Sequence, residues 1–279
     1  MLKTQHRARR RSVYEDVTER IIAAIEAGTH PWQRPWIGGT PINIRSGKPY
    51  RGINVLLLGL AGYADPRWGT FRAIREAGGS VRKGEKATWV VLWKPVLASR
   101  GAEDDDGEEE TQTYLLLRQY PVFNAQQADG LPPLPLAVDH DPLDRAEEIV
   151  SAYEGPHVRE GAPPCYTPAT DTVLCPPLPH FVSAEAYYST LYHELVHSTG
   201  HESRLDRLES TRFGSDPYAR EELVAEIGAA MLCGLAGIEN LDQSAAYVNG
   251  WLSVLREDKR MIVQSAAQAQ KAVDFIVGQ

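Results

Sequence analysis

The stretch YYSTLYHELVHSTGH sets His193 and His197 four residues apart, with Glu194 directly after the first histidine. On a helix of about 3.6 residues per turn, side chains at i and i+4 share one face, so the two imidazoles can grip a single ion. Glu194 then stands beside a water on that ion and can take its proton, the division of labour of HExxH metallohydrolases. A catalytic zinc also needs a third protein ligand and keeps one position open. Downstream, EELVAEIGAAMLC offers Glu221, Glu222 and Glu226, with Ala225, Ala229 and Cys233 small enough to let this segment approach the first helix. Glu222 is the preferred third ligand; His201, Glu221 and Glu226 stay open as alternatives, and the longer spacing HExxHxxGxxH is absent. Glu226, one turn past Glu222, is expected either to orient a ligand histidine from behind or to form a surface ion pair with an arginine. The expected ion is Zn2+, with Mn2+ the other divalent candidate, and the expected reaction is peptide-bond hydrolysis at Glu194. An oxyanion-stabilising group is required as well, and spacing cannot rank Tyr187, Tyr188, Tyr192 and Tyr247 for that task.

The elements that must position these residues follow from apolar periodicity and stop signals. A helix over Ser183 to Thr199, closed by Gly200, carries the histidines, and Asp216 with Pro217 opens a second helix running to about Leu235. Before them the segment starts with a helix near Leu143 and a strand over Tyr166 to Leu174, an edge that could hold an extended peptide by main-chain pairing. Asp171 on that strand is equally suited to capping a turn. Helices over Ser244 to Leu255 and Lys259 to Val277 finish the chain. Upstream, the spacing of Val13, Val17, Ile21, Ile22 and Ile25 predicts an amphipathic helix stopped by Gly28 and Pro31. Asn54 to Gly62 reads as a short buried helix, and Arg67 to Ala77 as another that ends at Gly78 and Gly79. Two β-branched and aromatic runs, Thr88 to Leu97 and Thr113 to Phe123, form a long hairpin whose tip is the acidic loop Glu103 to Glu110. The expected class is therefore α+β in two domains: a basic arm over 1–12, an α+β domain with the hairpin over 13–128, a Pro- and Asp-rich linker over 129–142, and a mainly helical domain over 143–279.

Charge separates the two halves. The chain carries a formal net charge of −8, yet residues 1–100 hold 18 Lys and Arg against 7 Asp and Glu, while residues 101–279 hold 11 against 30. A basic half on an acidic protein is the footprint of a segment that neutralises phosphates. Within it aromatic and basic residues interleave: Trp32, Arg34, Trp36, Lys48, Tyr50 and Arg51, then Arg82, Lys83 and Lys86. That mixture suits single-stranded DNA, because bases stack on aromatic faces while cations follow the backbone. No apolar run approaches the roughly 20 residues that a membrane span needs. The charged, amphipathic segment after the N-terminal arm does not resemble a secretory signal, so a cytoplasmic protein without membrane contact is expected. Three cysteines, Cys165, Cys175 and Cys233, with no CxxC pair suit reduced thiols in such a compartment.

Several long strings resemble the ArdC-type antirestriction proteins of conjugative elements. TERIIAAIEAGTHPWQRPW, GKPYRGINVLLL, VRKGEK and YPVFNAQQ carry the resemblance in the first half, and YYSTLYHELVHSTGHESRLDR and YAREELVAEIGAAML in the second. The resemblance implies an N-terminal single-stranded-DNA-binding domain joined to a minimal zincin-like metallopeptidase domain that together shield incoming DNA from host restriction. It also implies the histidine pair and a downstream glutamate as metal ligands. Three functions compete. One is a metallopeptidase acting on an unidentified protein substrate, DNA-associated proteins included; the second is a protective DNA binder whose metal site is structural or silent; the third, ranked last because it leaves the basic half unexplained, is an ordinary zinc peptidase with no DNA role.

Overall fold

The computed structural model describes the backbone of residues 11–27, 40–99, 111–133, 142–208, 216–238 and 245–279. Helix α1 (Val13–Glu26) starts on a capping box: Ser12 Oγ accepts the Glu15 N–H at 3.2 Å, and the Glu15 carboxylate accepts the Ser12 N–H at 2.6 Å. Its apolar face, Val17, Ile21, Ile22 and Ile25, is buried. After strand β1 (Ile42–Asn43) comes α2 (Ile53–Gly59), whose residues 55–58 are all buried, as expected of a helix that is apolar all round.

The sequence predicts one helix over Arg67 to Ala77. Instead the chain forms strand β2 (Arg67–Gly69) and then the short helix α3 (Phe71–Glu76). Trp68 is buried and pairs with Asn124, and a Cβ at Gly69 would lie 2.5 Å from Ile44 Cγ2, so this segment is committed to the sheet. Thr70 then restarts the chain as a helix, its hydroxyl accepting the Ala73 N–H at 3.2 Å. Strand β3 (Ser80–Val81) precedes the long hairpin of β4 (Thr88–Ser99) and β5 (Thr111–Asn124), and β6 (Ala128–Asp129) returns to pair with β3. The main sheet has the order β1-β2-β5-β4, with β1 and β2 parallel and the remaining pairs antiparallel. The acidic hairpin tip and the residues at 134–141 of the expected linker lie outside the described residues.

The second half opens with α4 (Pro142–Ala152) and a small sheet of β7 (His157–Glu160), β8 (Cys165–Thr167) and β9 (Thr172–Cys175), in the order β7-β9-β8. The strand predicted over Tyr166 to Leu174 is thus two antiparallel strands. A turn at Pro168–Thr170 and a left-handed Asp171 (φ 45°) reverse the chain, and the Asp171 carboxylate accepts the Tyr166 hydroxyl at 2.8 Å and Arg204 Nη1 at 3.0 Å. Four helices complete the fold: α5 (Ala184–Ser198), α6 (Asp216–Ala236), α7 (Ala245–Glu257) and α8 (Met261–Val277). The three cysteines are free thiols, Cys175 and Cys233 buried and Cys165 half-buried. No described helix is long and apolar enough to cross a membrane.

The architecture is α+β, but the halves are not insulated from each other. Val17 and Ile21 of α1, Leu56 of α2, and Val91 and Leu117 of the hairpin belong to the same buried cluster as Leu195 of α5, Ile227 of α6 and Ile262 of α8. Polar contacts cross the same seam. Thr18 Oγ1 donates to the Lys259 carbonyl at 2.7 Å, the Gly52 N–H donates to Gln270 Oε1 at 2.9 Å, and Arg51 is ion-paired with Asp274. A smaller cluster of Leu58, Trp68, Val90 and Val122 lies within the first half.

Candidate metal centre

Helix α5 is nucleated by Ser183, whose Oγ accepts the Ala186 N–H at 3.2 Å, and it ends one residue before Thr199. Its histidines face α6 across a close helix contact. A Cβ at Gly228 would lie 2.8 Å from Val196 Cγ2, and Ala225 and Ala229 beside it are buried, so small residues set the approach. That approach brings Glu222 against the histidine pair. His193 Nε2 and His197 Nε2 lie 3.1 Å apart, with a Glu222 carboxylate oxygen 3.6 Å from each. One ligand atom from each of the three residues lies within 4.8 Å of the others.

The donor set fits a divalent cation. Two nitrogens on a tetrahedral ion at 2.0–2.1 Å stand about 3.3 Å apart, close to the observed separation of the two Nε2 atoms. Around these atoms the polar groups are arranged to hold the rings. Glu221 Oε1 is 3.1 Å from His197 Nδ1, and Glu226 Oε1 is 3.6 Å from His193 Nδ1. His193 Nδ1 and Glu226 Oε2 are buried without a hydrogen-bond partner, which leaves both able to tighten onto each other when Nε2 is engaged. Burial disfavours charge on His193, but Glu222, Glu226 and Glu194 outweigh it and push its pKa up to about 9. Burial pushes Glu226 up to about 7, against the pull of His193. Glu222 stays below the usual carboxylate range despite burial, because of His193, His197 and a hydrogen bond from Tyr218.

Glu226 does not form a surface ion pair with an arginine: it is 3% exposed and faces His193. An arginine that lines the cleft, Arg207, meets Glu221 instead, at 2.8 and 2.9 Å. Arg207 is itself fixed by Thr199 Oγ1 at 3.0 Å and the Val196 carbonyl at 2.9 Å, so the loop after α5 folds back to brace that helix. Nothing in the sequence spacing pointed to Arg207. His201 turns away, its Nδ1 2.8 Å from Ser203 Oγ, and it is not among the converging residues.

Glu194 is buried and lies with His193, His197 and Glu222 on a cleft of about 990 Å³. Pro164, Cys165 and Tyr166 form one wall, Tyr218 and Arg220 of α6 another, and Gln264 and Gln268 of α8 reach it from the far side. Strand β8 is an edge strand, and Cys165 and Tyr166 on it line the cleft.

The expected DNA contacts do not converge in this way. Trp32, Arg34 and Trp36 lie outside the described residues. Lys48, Lys83 and Lys86 are exposed. Tyr50 is half-buried against Trp68 and its neighbours, with its hydroxyl 3.4 Å from Asn43 Nδ2 and its pKa raised by burial. Arg51 is tied to Asp274, and Arg82 to Glu85 at 2.9 Å, Asp129 at 3.4 Å and the Gln126 carbonyl at 2.6 Å.

Comparison with known proteins accounts for both halves. Residues 11–123 match the N-terminal domain of anti-restriction factor ArdC, and residues 144–268 match a zincin-like metallopeptidase family. The chain is 43% identical to the ArdC antirestriction protein of the R388 plasmid in a metal-free crystal structure, covering 95% of this chain and 96% of that one with a TM-score of 0.77. A Mn(II)-bound structure of the same protein aligns with a TM-score of 0.75 at 42% identity, covering 95% of this chain and 97% of that one. Among curated relatives, a DNA primase TraC of Escherichia coli is 41% identical over 95% of this chain, which spans 27% of the primase's length. The uncharacterized protein y4eC of Sinorhizobium fredii is 39% identical, with 96% of this chain and 92% of that protein covered. By these matches, over nearly its whole length and in this domain order, the chain belongs to the ArdC antirestriction family, with a zincin-like metallopeptidase domain in its second half.

Proposed function

We propose that this chain is an antirestriction protein that binds single-stranded DNA through its basic first half and hydrolyses a peptide bond in the cleft of its second, protecting incoming DNA from host restriction. The observation that carries the catalytic part is the convergence of His193, His197 and Glu222 beside Glu194 on one cleft wall. His193, His197 and Glu222 would hold the ion; two imidazoles and a carboxylate suit Zn2+, and the Mn(II) in the R388 relative makes Mn2+ the other candidate. When bound, a divalent cation supplies Lewis acidity, polarising a carbonyl and lowering the pKa of a water toward about 7. Glu194 accepts the proton of the attacking water and later delivers it to the leaving amine. Glu221 holds His197 at Nδ1 and is kept in place by Arg207, while Glu226, 3.6 Å from His193 Nδ1, stands where it would orient that ring. Edge strand β8 offers main-chain groups to an extended peptide laid along the cleft. The DNA part rests on the charge of the first half and on the exposed Lys48, Lys83 and Lys86.

Glu194→Gln tests the reading. The variant is expected to keep its metal and its affinity for single strands while losing protection of transferred DNA and losing about 10²- to 10⁴-fold in proteolytic rate on a denatured protein such as casein. Full protection by this variant would sink the hydrolytic reading and leave a protective DNA binder with a silent metal site.

A further inference from the structure

A carbonyl attacked by water needs a donor for the charge that develops on its oxygen, and the described residues of the cleft narrow the choice. Tyr192 is fully buried and donates to the Ala146 carbonyl at 3.1 Å, and Tyr188 donates to Glu147 at 2.8 Å. Tyr187 packs edge-on against Phe181, and these three tyrosines are not on the cleft wall. Tyr166 lines the cleft, but its hydroxyl donates to Asp171 at 2.8 Å and accepts Arg204 Nη2 at 3.2 Å. Arg207 is committed to Glu221, and Arg220 donates to Gln264 at 2.6 Å and Asp258 at 3.0 Å. Tyr218 is placed differently. It lies four residues before Glu222 on α6, so both project from one face of the helix into the cleft. Its hydroxyl meets the Glu222 carboxylate, beside the point where the three ligand atoms converge.

We propose that Tyr218 is the oxyanion donor of this cleft, a catalytic residue that hydrogen-bonds the carbonyl oxygen as it becomes negative. The assignment rests on the hydrolytic reading above. As the water oxygen bonds to the carbonyl carbon, one water proton passes to Glu194 and the carbonyl π pair moves onto oxygen, where the Tyr218 O–H meets it. That pair then re-forms the carbonyl, the C–N bond breaks, and the amine leaves with the proton from Glu194. The products are a carboxylic acid, which ionises, and an amine. In the resting site the phenol is parked on Glu222, so it is pre-oriented toward the reacting position.

The test compares wild type and Tyr218→Phe as full-length proteins loaded with zinc. The first probe is a phosphinate analogue of trialanine, whose tetrahedral oxyanion imitates the attacked carbonyl; the second is imidazole, which binds a metal but carries no such oxygen. Phosphinate affinity is expected to fall at least about tenfold in the variant, with zinc content and imidazole affinity unchanged, and casein turnover to fall about 10²- to 10³-fold in kcat. Equal phosphinate binding by the two proteins, or no binding by wild type, overturns the assignment. So does a variant whose only defect is weaker zinc binding, which would make Tyr218 a positioning residue for Glu222. Should Glu194→Gln protect DNA as well as wild type while phosphinate binding still depends on Tyr218, the hydrolytic reading fails and the oxyanion site stands.

Discussion

The cleft on α5 and α6 and the basic surface of the first half both collect charge, but in opposite ways. In the cleft, charges are buried and committed: His193 and His197 face Glu222, and Glu221 and Glu226 sit behind them. On the basic surface, Lys48, Lys83 and Lys86 are exposed, while Arg82 already has acidic partners and Arg51 is bound to a helix of the other half. A buried constellation of this kind stands only if its geometry is nearly complete, because an unpaired charge there costs several kcal/mol. A surface patch that binds a polyanion needs no mutual geometry, since a long, flexible strand is held by summed charge.

Substitutions in the cleft should therefore have large effects, and those on the surface smaller, additive ones. The largest expected effect is at His197→Ala, which loses the ion altogether by elemental analysis. Glu221→Gln, which weakens the bond to His197 Nδ1 and the ion pair with Arg207 but leaves all three converging ligand residues in place, should bind metal about 10- to 100-fold less tightly. Equal affinities for wild type and Glu221→Gln would break the contrast at its buried end. Next in size, reversing Lys83 and Lys86 together to glutamate should flatten the salt dependence of single-strand binding by about 1.4 in the log–log slope, the value for two lost phosphate contacts. Arg82→Ala alone should move it less, its guanidinium being engaged within the protein. A larger effect at Arg82 than at the lysines would show that the paired arginine is the anchor. The smallest effect concerns acid stability. Arg204, against some opposition from burial and with help from Tyr166, holds the Asp171 pKa down to about 2 from 3.8. Because the folded value is depressed, the Asp171–Arg204 pair contributes fully above the unfolded pKa, and its contribution is lost as pH falls through the folded one. The stability gap between wild type and Asp171→Asn, read from urea midpoints, should shrink from about pH 4 to about pH 2.

What was legible in the sequence followed from the same contrast. The period of a helix alone sets His193 and His197 on one face, and the run of small residues around Gly228 signals a close neighbour, so the core of the cleft could be read without tertiary information. Long periodic or β-branched runs likewise gave α1, the hairpin and α5. Arg207 and Tyr218 could not be seen in this way: one acts through a loop that folds back on α5, the other through which wall of a cleft its turn faces. The single helix expected over Arg67 to Ala77 failed because Trp68 found a partner in Asn124 across the sheet, a contact 56 residues away that propensity does not sense. The strand expected over Tyr166 to Leu174 failed at Asp171, whose left-handed turn is fixed by Arg204 from beyond the next helix.

Helix α8 ties the cleft to the first half of the chain. Gln264 and Gln268 face the cleft, while Gln270 and Asp274 of the same helix receive Gly52 and Arg51 from the first half. Separating the halves would expose apolar surface on α1, α2 and α8 together, so each half completes its core with residues of the other. The relatives agree with this constraint: TraC, although several times longer, carries a match to 95% of this chain rather than to either half alone.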